Sequence, residues 1–326
     1  MICRVVLLVV MAAAWAQSAA AQAFDPVTTR AAGMAGAFVA VTDDASAVYW
    51  NPAALASGSY FSLLLDRTSA EATMDDPSLG GSRSATFIAL GTPPFGASYY
   101  RLRYTWVSAP AGGSDSFRMG QSLITHNTGV TVLHSIAAGL SIGTTLKLVR
   151  GIATSGNLPP GDLDDLLDDT GDLIGKATNK FDADAGLAYV HSGLRAGLTV
   201  HNMVNPKFEA TDGTRLELEP QARAGVSLSS PHGFLIAADL DLNDVRGPLG
   251  RVQQFALGSE ARFLPRAYAR AGVRMNTLGG EPGGHAPVFT VGGSFAVLSS
   301  LWIDGQGTVG SDAGGPGWGV AARVAF

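Results

Sequence analysis

Six histidines, one cysteine and 27 acidic residues are the raw material for any catalytic or metal chemistry in this 326-residue chain. The histidines show no HExxH or other metal-ligand spacing. His126 and His134 fall near opposite ends of one strand-like run, and His201 falls on the inward side of another, where a hydrogen-bonded structural role fits. No GxSxG turn is present to raise a nucleophilic serine. Gly279-Gly280 and Gly283-Gly284 have no following helix, so they are not phosphate cradles. Cys3 is the only cysteine, and it falls in a leader that should be removed, which leaves neither disulfide nor thiolate site. The chain reads as a non-enzyme, with no catalytic residues, no cofactor and no metal centre.

One acidic cluster stands apart. Asp162, Asp164, Asp165, Asp168, Asp169 and Asp172 crowd the longest expected connection, 151–180. Pro159-Pro160-Gly161-Asp162 can start a short helix there, on which Leu163, Leu166 and Leu167 share a face by i, i+3, i+4 spacing, with Ile174 further along. The aspartates could offer oxygen ligands to Ca²⁺, but their spacing does not match an EF-hand loop. The plainer reading is a solvated helix folded over the mouth of the molecule.

The elements that must position these residues are strands. Only 15% of the residues are charged, against roughly 25% in soluble domains, and glycine is abundant at 41 residues. The net charge of −5 argues against a nucleic-acid partner. Residues 1–23 read as a secretory signal: Arg4, an apolar core from Val5 to about Trp15, and a small-x-small cleavage site at Ala21-Gln22-Ala23. No other stretch could cross a bilayer as a helix, and the remaining membrane-spanning option is a closed barrel.

From about residue 59 onward, about fourteen segments alternate apolar with polar or small residues. Their expected spans are 59–66, 84–91, 96–107, 121–135, 139–150, 181–191, 193–202, 218–230, 233–243, 251–263, 266–276, 286–297, 300–309 and 317–326. Links after even-numbered strands are short and the others mostly longer, as in outer-membrane barrels with short periplasmic turns and long external loops. The expected fold is therefore an all-β, 14-stranded antiparallel transmembrane barrel spanning 58–326. In the last strand Trp318, Val320, Ala322, Val324 and Phe326 alternate outward, and the terminal Phe326 resembles the signal read by the barrel assembly machinery. Outer-membrane lipid is the expected surroundings, in a Gram-negative-type bacterium.

By parity the lumen is charged. Arg101, Arg103, Lys147, Arg195, Arg223, Glu260, Arg262, Arg270, Arg274 and Arg323 are expected to face inward, with Asp182, Asp184, Asp239 and Asp241. Opposed charges inside a barrel form a structural network tying walls and plug together. An anionic head group using the arginines is the functional alternative.

Residues 24–57 break the alternation and read as a hatch or plug in the lumen. Gly33-Met34-Ala35-Gly36-Ala37, Asp43-Asp44 and Tyr49-Trp50-Asn51-Pro52-Ala53-Ala54-Leu55 resemble the start of FadL-type barrels, which transport long-chain fatty acids and other hydrophobic compounds. The same arrangement resembles PorV-like and TraF-like barrels, and it does not choose between the branches. The resemblance implies a hatch containing Gly33, Gly36, Asp43, Asp44, Asn51, Pro52 and Ala53, with substrate leaving sideways beside a kinked strand. It also implies that Leu163, Leu166, Leu167 and Ile174 are a capture site for hydrophobic substrate. Physically, Pro52 fixes its own φ and biases Asn51 away from helix, which presets a turn that Asn51 can bond; a turn without substrate contact is the plain alternative. The third strand, 96–107, has no Pro or Gly after Gly96 to place the kink. Two functions follow: passive transport of a hydrophobic small molecule, or an accessory barrel that contacts proteins of a secretion or surface-assembly system.

Overall fold

In a computed structural model, the residues described are 27–74, 76–109, 116–247, 250–278, 286–310 and 315–326. The expected signal at 1–23 and the glycine pairs at 279–280 and 283–284 lie outside them. Fourteen antiparallel strands close on themselves. In chain order they are β1 (Ser62–Thr73), β2 (Gly80–Thr92), β3 (Phe95–Ser108), β4 (Arg118–Ala137), β5 (Leu140–Leu158), β6 (Ala177–His191) and β7 (Leu194–His201). Then come β10 (Gln221–Ser229), β11 (Phe234–Asp241), β14 (Gln254–Leu264), β15 (Ala267–Asn276), β16 (Val288–Ala296), β17 (Leu301–Gly310) and β18 (Gly317–Ala325). Two small hairpins interrupt the series, β8 (Lys207–Glu209) with β9 (Arg215–Glu217), and β12 (Val245–Gly247) with β13 (Gly250–Val252).

Every barrel strand pairs with its neighbour, and β1 pairs with β18 from Ser62↔Ala325 to Ala70↔Gly317. Phe61 and Phe326 exchange backbone hydrogen bonds and stack at 4.9 Å at the end of this seam. Closure is what lets strands sit in lipid, since it leaves no unpaired edge. The outer face carries the apolar residues: Leu146, Leu148, Phe181, Val226, Ile236, Phe289 and Val291 are each about half exposed or more. A water-soluble surface does not present such a continuous apolar belt. No helix among the described residues is long and apolar enough to cross a membrane.

The turns at one end are short, at 93–94, 138–139, 192–193, 230–233, 265–266 and 297–300, and the long connections all lie at the other. In outer-membrane barrels short turns face the periplasm and long loops the outside. Strands β4 and β5 have 20 and 19 residues, whereas about 9–11 suffice to span, so β3, β4 and β5 extend beyond the belt at the long-loop end. That extension alters two expectations. The first strand begins at Ser62 and runs to Thr73, displaced outward from 59–66. The connection expected at 151–180 shrinks to 159–176, because Gly151–Leu158 and Ala177–Lys180 continue the ladder between β5 and β6 or between β4 and β5.

The helix within it, α3 (Leu163–Asp172), is where the leucine spacing placed it, but it does not fold over the mouth. It lies on the outer face of the extension. Leu166, 1% exposed, packs with Val107 and Leu158, and Leu163 and Leu167 join them. Val107, Gly120 and Leu158 are outward positions, as the buried inward partners Trp106, Gln121 and Ser155 show. The helix bonds its own carbonyl at Leu166 through Thr170 Oγ1, at 2.6 Å. Its aspartates at 164, 165, 168, 169 and 172 are exposed.

Candidate functional site

Residues 27–57 are almost wholly buried, yet they hold little regular structure: α1 (Thr29–Ala32), α2 (Ala47–Trp50) and a 3₁₀ turn at Pro52–Ser57. Buried backbone groups need partners, and here the barrel wall supplies them. Asp66 of β1 accepts from Thr29 N–H at 2.7 Å and from its hydroxyl at 3.1 Å. Asp239 of β11 accepts from Phe38 and Val39 N–H, both at 2.9 Å. Thr290 Oγ1 donates to the Gly33 carbonyl at 3.1 Å, Ser227 Oγ to Ala40 at 3.2 Å and Thr145 Oγ1 to Val48 at 3.1 Å. These partners come from strands on all sides of the closed wall, so the segment lies inside the lumen.

The wall is shaved to glycine where the segment presses closest. A Cβ on Gly143 would lie 2.5 Å from the Pro52 carbonyl carbon, and one on Gly272 would lie 2.5 Å from that of Met34. Such positions favour glycine because two backbones approach. Gly36 itself adopts φ 87°, which a side chain tolerates poorly.

The motif residues occupy defined places in this packing. Gly33 touches Gly292 of β16, and the Gly36 carbonyl accepts from Arg223 at 3.4 Å. Asn51 Oδ1 accepts from Ala53 N–H at 3.1 Å, the turn expected of Asn-Pro, while its Nδ2 donates to Val39 at 3.2 Å and to Leu187 of β6 at 3.0 Å. Pro52 and Ala53 are buried against β5 and β6. Asp43 and Asp44 pair with Arg30 at 2.5 and 3.2 Å, and Arg30 reaches Glu260 of β14 at 3.3 Å. Arg323 stands 3.8 Å from Asp44. Burial opposes ionisation of Asp44, but Arg30, Arg323 and the hydrogen bonds from Ser46 outweigh it and hold its carboxyl below the usual range. Burial likewise opposes the charge on Arg30, and Asp43, Glu260 and Asp44 overcome it.

The inward charges of the wall are mostly paired. Lys147 bridges Asp182 at 3.0 Å and Asp184 at 2.8 Å, and His201 Nδ1 is 3.2 Å from Asp184. Arg223 binds Asp241 at 2.6 Å. Arg270 joins Glu260 at 2.5 Å and stands 3.7 Å from Asp304, which Arg323 meets at 3.3 Å. Arg274 is buried on the same inner face, and Arg195 reaches the Val41 carbonyl at 3.2 Å. Three expected lumen charges are placed elsewhere. Arg101 and Arg103 face outward, because the inward residues of β3 are Gly96, Ser98, Tyr100, Leu102, Tyr104 and Trp106; reading the arginines as inward inverted that strand. Arg103 lies beneath α3 beside Gly171. Arg262 has inward parity but is exposed at the short-turn rim, beside Gly233. Asp66 and Asp304 are network members that the sequence reading missed, although the alternation Leu64-Asp66-Thr68 and Asp304-Gln306-Thr308 carried the signal.

The two ends of the lumen differ. At the short-turn end a cavity of about 510 Å³ is lined by Arg30, Asp43, Asp44, Glu260, Arg270, Arg323 and the rings of Tyr268 and Trp302. Toward the long-loop end the inner wall on the β2–β5 side is mainly apolar, with Phe87, Tyr100, Leu102, Tyr104, Trp106, Leu123, Val149 and Ala153, among which Arg83, Gln121, Thr125, Asn127 and Ser155 also face inward. Tyr49 of the segment meets Tyr100 edge-on at 5.6 Å and Phe87 at 6.3 Å. The β8–β9 hairpin folds into this space and fills it with Phe208 and Leu216, which are 1% and 0% exposed. Phe208 lies directly on Gly151. Two gaps there measure about 30 and 10 Å³, room for one or two waters.

The wall is continuous beside β3. It pairs without a register shift with β2 from Gly80↔Val107 to Thr92↔Phe95, and with β4 from Ser108↔Met119 to Phe95↔Val132. The expected capture residues are largely used in packing: Leu163, Leu166 and Leu167 are turned onto the outer wall, and only Ile174, 88% exposed, is open to solvent. Among the described residues no three His, Cys, Asp or Glu side chains gather as metal ligands.

Comparison with known proteins places this architecture. A family model described as the F plasmid transfer operon TraF protein matches residues 115–241. No curated protein sequence matches the chain. The CymD monoaromatic hydrocarbon channel superposes with a TM-score of 0.66 at 14% identity, covering 93% of this chain and 99% of that one. A Pseudomonas aeruginosa FadL homologue gives 0.66 at 12% identity, covering 94% and 100%. The Ralstonia pickettii toluene transporter TbuX gives 0.58 at 15%, covering 93% and 98%. The chain has the fold of the FadL-type outer-membrane barrels, and these neighbours are channels and transporters.

Proposed function

We propose that the barrel is a passive outer-membrane passage for hydrophobic small molecules, held shut by residues 27–57 acting as a hatch and by the β8–β9 hairpin acting as an outer stopper. One observation carries this reading. The outer half of the lumen carries an apolar and aromatic wall on its β2–β5 side, interrupted by Arg83, Gln121, Thr125, Asn127 and Ser155, and packed against it are the protein's own Phe208 and Leu216. A chamber already filled by an aromatic ring suits an apolar guest once the ring withdraws, because exchanging one apolar occupant for another exposes little new surface to water. The fold likeness to hydrocarbon channels over nearly the whole chain supports the same reading. The charged level beneath would then be crossed only when the hatch shifts, since Arg30, Asp239 and Asp66 tie it to the wall.

The accessory role is the second reading. It is favoured by the unbroken pairing of β3, which provides no lateral exit, and by the family match over 115–241. Uptake of a labelled long-chain fatty acid and of a labelled monoaromatic hydrocarbon by cells carrying the barrel separates the two. Transport predicts saturable uptake that rises when residues 207–217 are replaced by a short Gly-Ser link. Folded barrel without uptake of either probe, with or without the hairpin, would favour the accessory role.

A further inference from the structure

The outward-facing arginines that depart from the lumen pattern are not scattered. Arg67 of β1 pairs in register with Thr86 of β2, Thr86 with Arg101 of β3, Arg101 with His126 of β4, and His126 with Arg150 of β5. They form one cross-strand row on the outer surface. Neighbouring strands lie about 4.8 Å apart, so alternate members stand roughly 10 Å from one another. Their outward direction is fixed by the buried, inward residues on either side, Asp66 and Thr68, Tyr100 and Leu102, Thr125 and Asn127, Val149 and Gly151. Contacts within the surface agree: Arg67 donates to Thr86 Oγ1 at 2.7 Å, and the Tyr99 hydroxyl lies 2.8 Å from His126 Nδ1.

Across β1–β3 the row sits at a boundary. One same-face step toward the short turns lie Leu65, Ile88, Tyr99, Thr128 and Leu148, mostly apolar and exposed. One step the other way lie Ser69, Ser84 and Arg103 on β1–β3 and Ile124 and Ile152 on β4 and β5, and beyond them the surface covered by α3. At the edge of an apolar belt, long basic side chains keep their stems on apolar surface and their charges at the interface. No carboxylate among the described residues forms an ion pair with Arg67, Arg101 or Arg150, unlike most lumen arginines. Among the outward-facing strand residues of β1–β5 the acidic one is Glu71, two same-face steps beyond Arg67, and the aspartates of α3 lie past Arg103.

We propose that this row is a binding site for the phosphate groups of an outer-leaflet lipid, a phosphorylated glycolipid seated against β1–β5 with its acyl chains along Leu65, Ile88 and Leu148. The planar guanidinium fork matches a phosphate, and spaced cations suit a headgroup that carries more than one. The site is independent of anything that passes through the lumen, and its test does not involve uptake.

The mature, folded barrel is purified in zwitterionic micelles, and retained lipid is measured by native mass spectrometry with three probes. These are a diphosphorylated glycolipid, its dephosphorylated form, and inorganic phosphate as competitor. The wild type should retain the phosphorylated lipid at least tenfold more tightly than the dephosphorylated one, and millimolar inorganic phosphate should not displace it. Arg67→Gln/Arg101→Gln/Arg150→Gln should lose the preference, whereas the triple Arg→Lys variant, which keeps the charge but not the fork, should keep part of it. Resistance to unfolding in dodecyl sulfate checks that each variant is assembled. Should the triple variant not assemble, the single Arg101→Gln, expected to weaken retention about fivefold, decides the matter. Equal retention by the Gln variants, indifference to dephosphorylation, or full displacement by inorganic phosphate would overturn the assignment.

Discussion

Replacing Asp239 by leucine should release residues 27–57 from the wall while leaving the barrel standing. Asp239 lies on β11, 1% exposed, and accepts the backbone N–H groups of Phe38 and Val39 at 2.9 Å each. Leucine has the same branched heavy-atom shape, is bulkier and has no acceptor, so both N–H groups would be buried without a partner. Each such group costs about 1–3 kcal/mol. The low end, about 2 kcal/mol for the pair, is roughly a thirty-fold shift toward the undocked segment. Hydrogen exchange read by mass spectrometry on peptides spanning 27–57, in the folded detergent-solubilised barrel, measures this directly. Amides of Phe38 and Val39 should lose protection by at least that factor, while those of β4 and β5, remote from the site, keep theirs. Asp239→Asn keeps a carbonyl acceptor and should lose much less. Unchanged protection in Asp239→Leu would refute the idea that wall side chains hold the segment by its backbone.

Three further outcomes follow from the same geometry. Gly143→Val puts a side chain where a Cβ alone would be 2.5 Å from the Pro52 carbonyl carbon; overpacking of about 1–3 kcal/mol should make the segment sensitive to protease added to solubilised barrel. Phe208→Ala should cost about 3–5 kcal/mol of hairpin docking, and an apolar fluorophore should then bind saturably in the vacated chamber at concentrations where the wild type binds none. Asp44 titrates below the ordinary carboxylate value of 3.8, because Arg30 and Arg323 offset the burial that opposes its charge. A depressed native pKa adds stability above the unfolded value and loses it as pH falls through the native one. Protection of residues 27–57 contributed by Asp44 should therefore hold from neutral pH down to about 4 and decline only below, and Asp44→Asn should remove that acid-dependent part.

Much of this was legible because a barrel repeats one rule. Strict alternation in runs such as Leu140–Leu148 and Phe181–Tyr189 fixed which residues face lipid, and turn lengths fixed the two ends. The rule fails where a strand leaves the bilayer. Above the belt both faces of β3, β4 and β5 are covered, one by the lumen filling and one by α3, so Val107 and Ser122 are buried beside their inward neighbours and alternation vanishes. The arginines of β3 misled for a related reason. A charge at the membrane boundary can face outward, and Arg101 does so with Tyr100 and Leu102 turned inward. The Asn-Pro turn was legible from local stereochemistry, but the reach of Asn51 to Leu187, 136 residues away, was not. Nor was the burial of Phe208 and Leu216, since a short hairpin in a long connection carries no sign of which way it folds.

The central claim is that hydrophobic molecules pass through the lumen when the hatch moves. Gly33→Cys/Gly292→Cys tests it, because a Cβ on Gly33 would lie 3.3 Å from the Gly292 Cα, and beyond Cys3 no native cysteine competes. With the disulfide formed, uptake of labelled fatty acid or monoaromatic hydrocarbon should stop, and a reductant should restore it to the level of the unlocked barrel. Equal uptake by the oxidised and reduced forms would contradict the account.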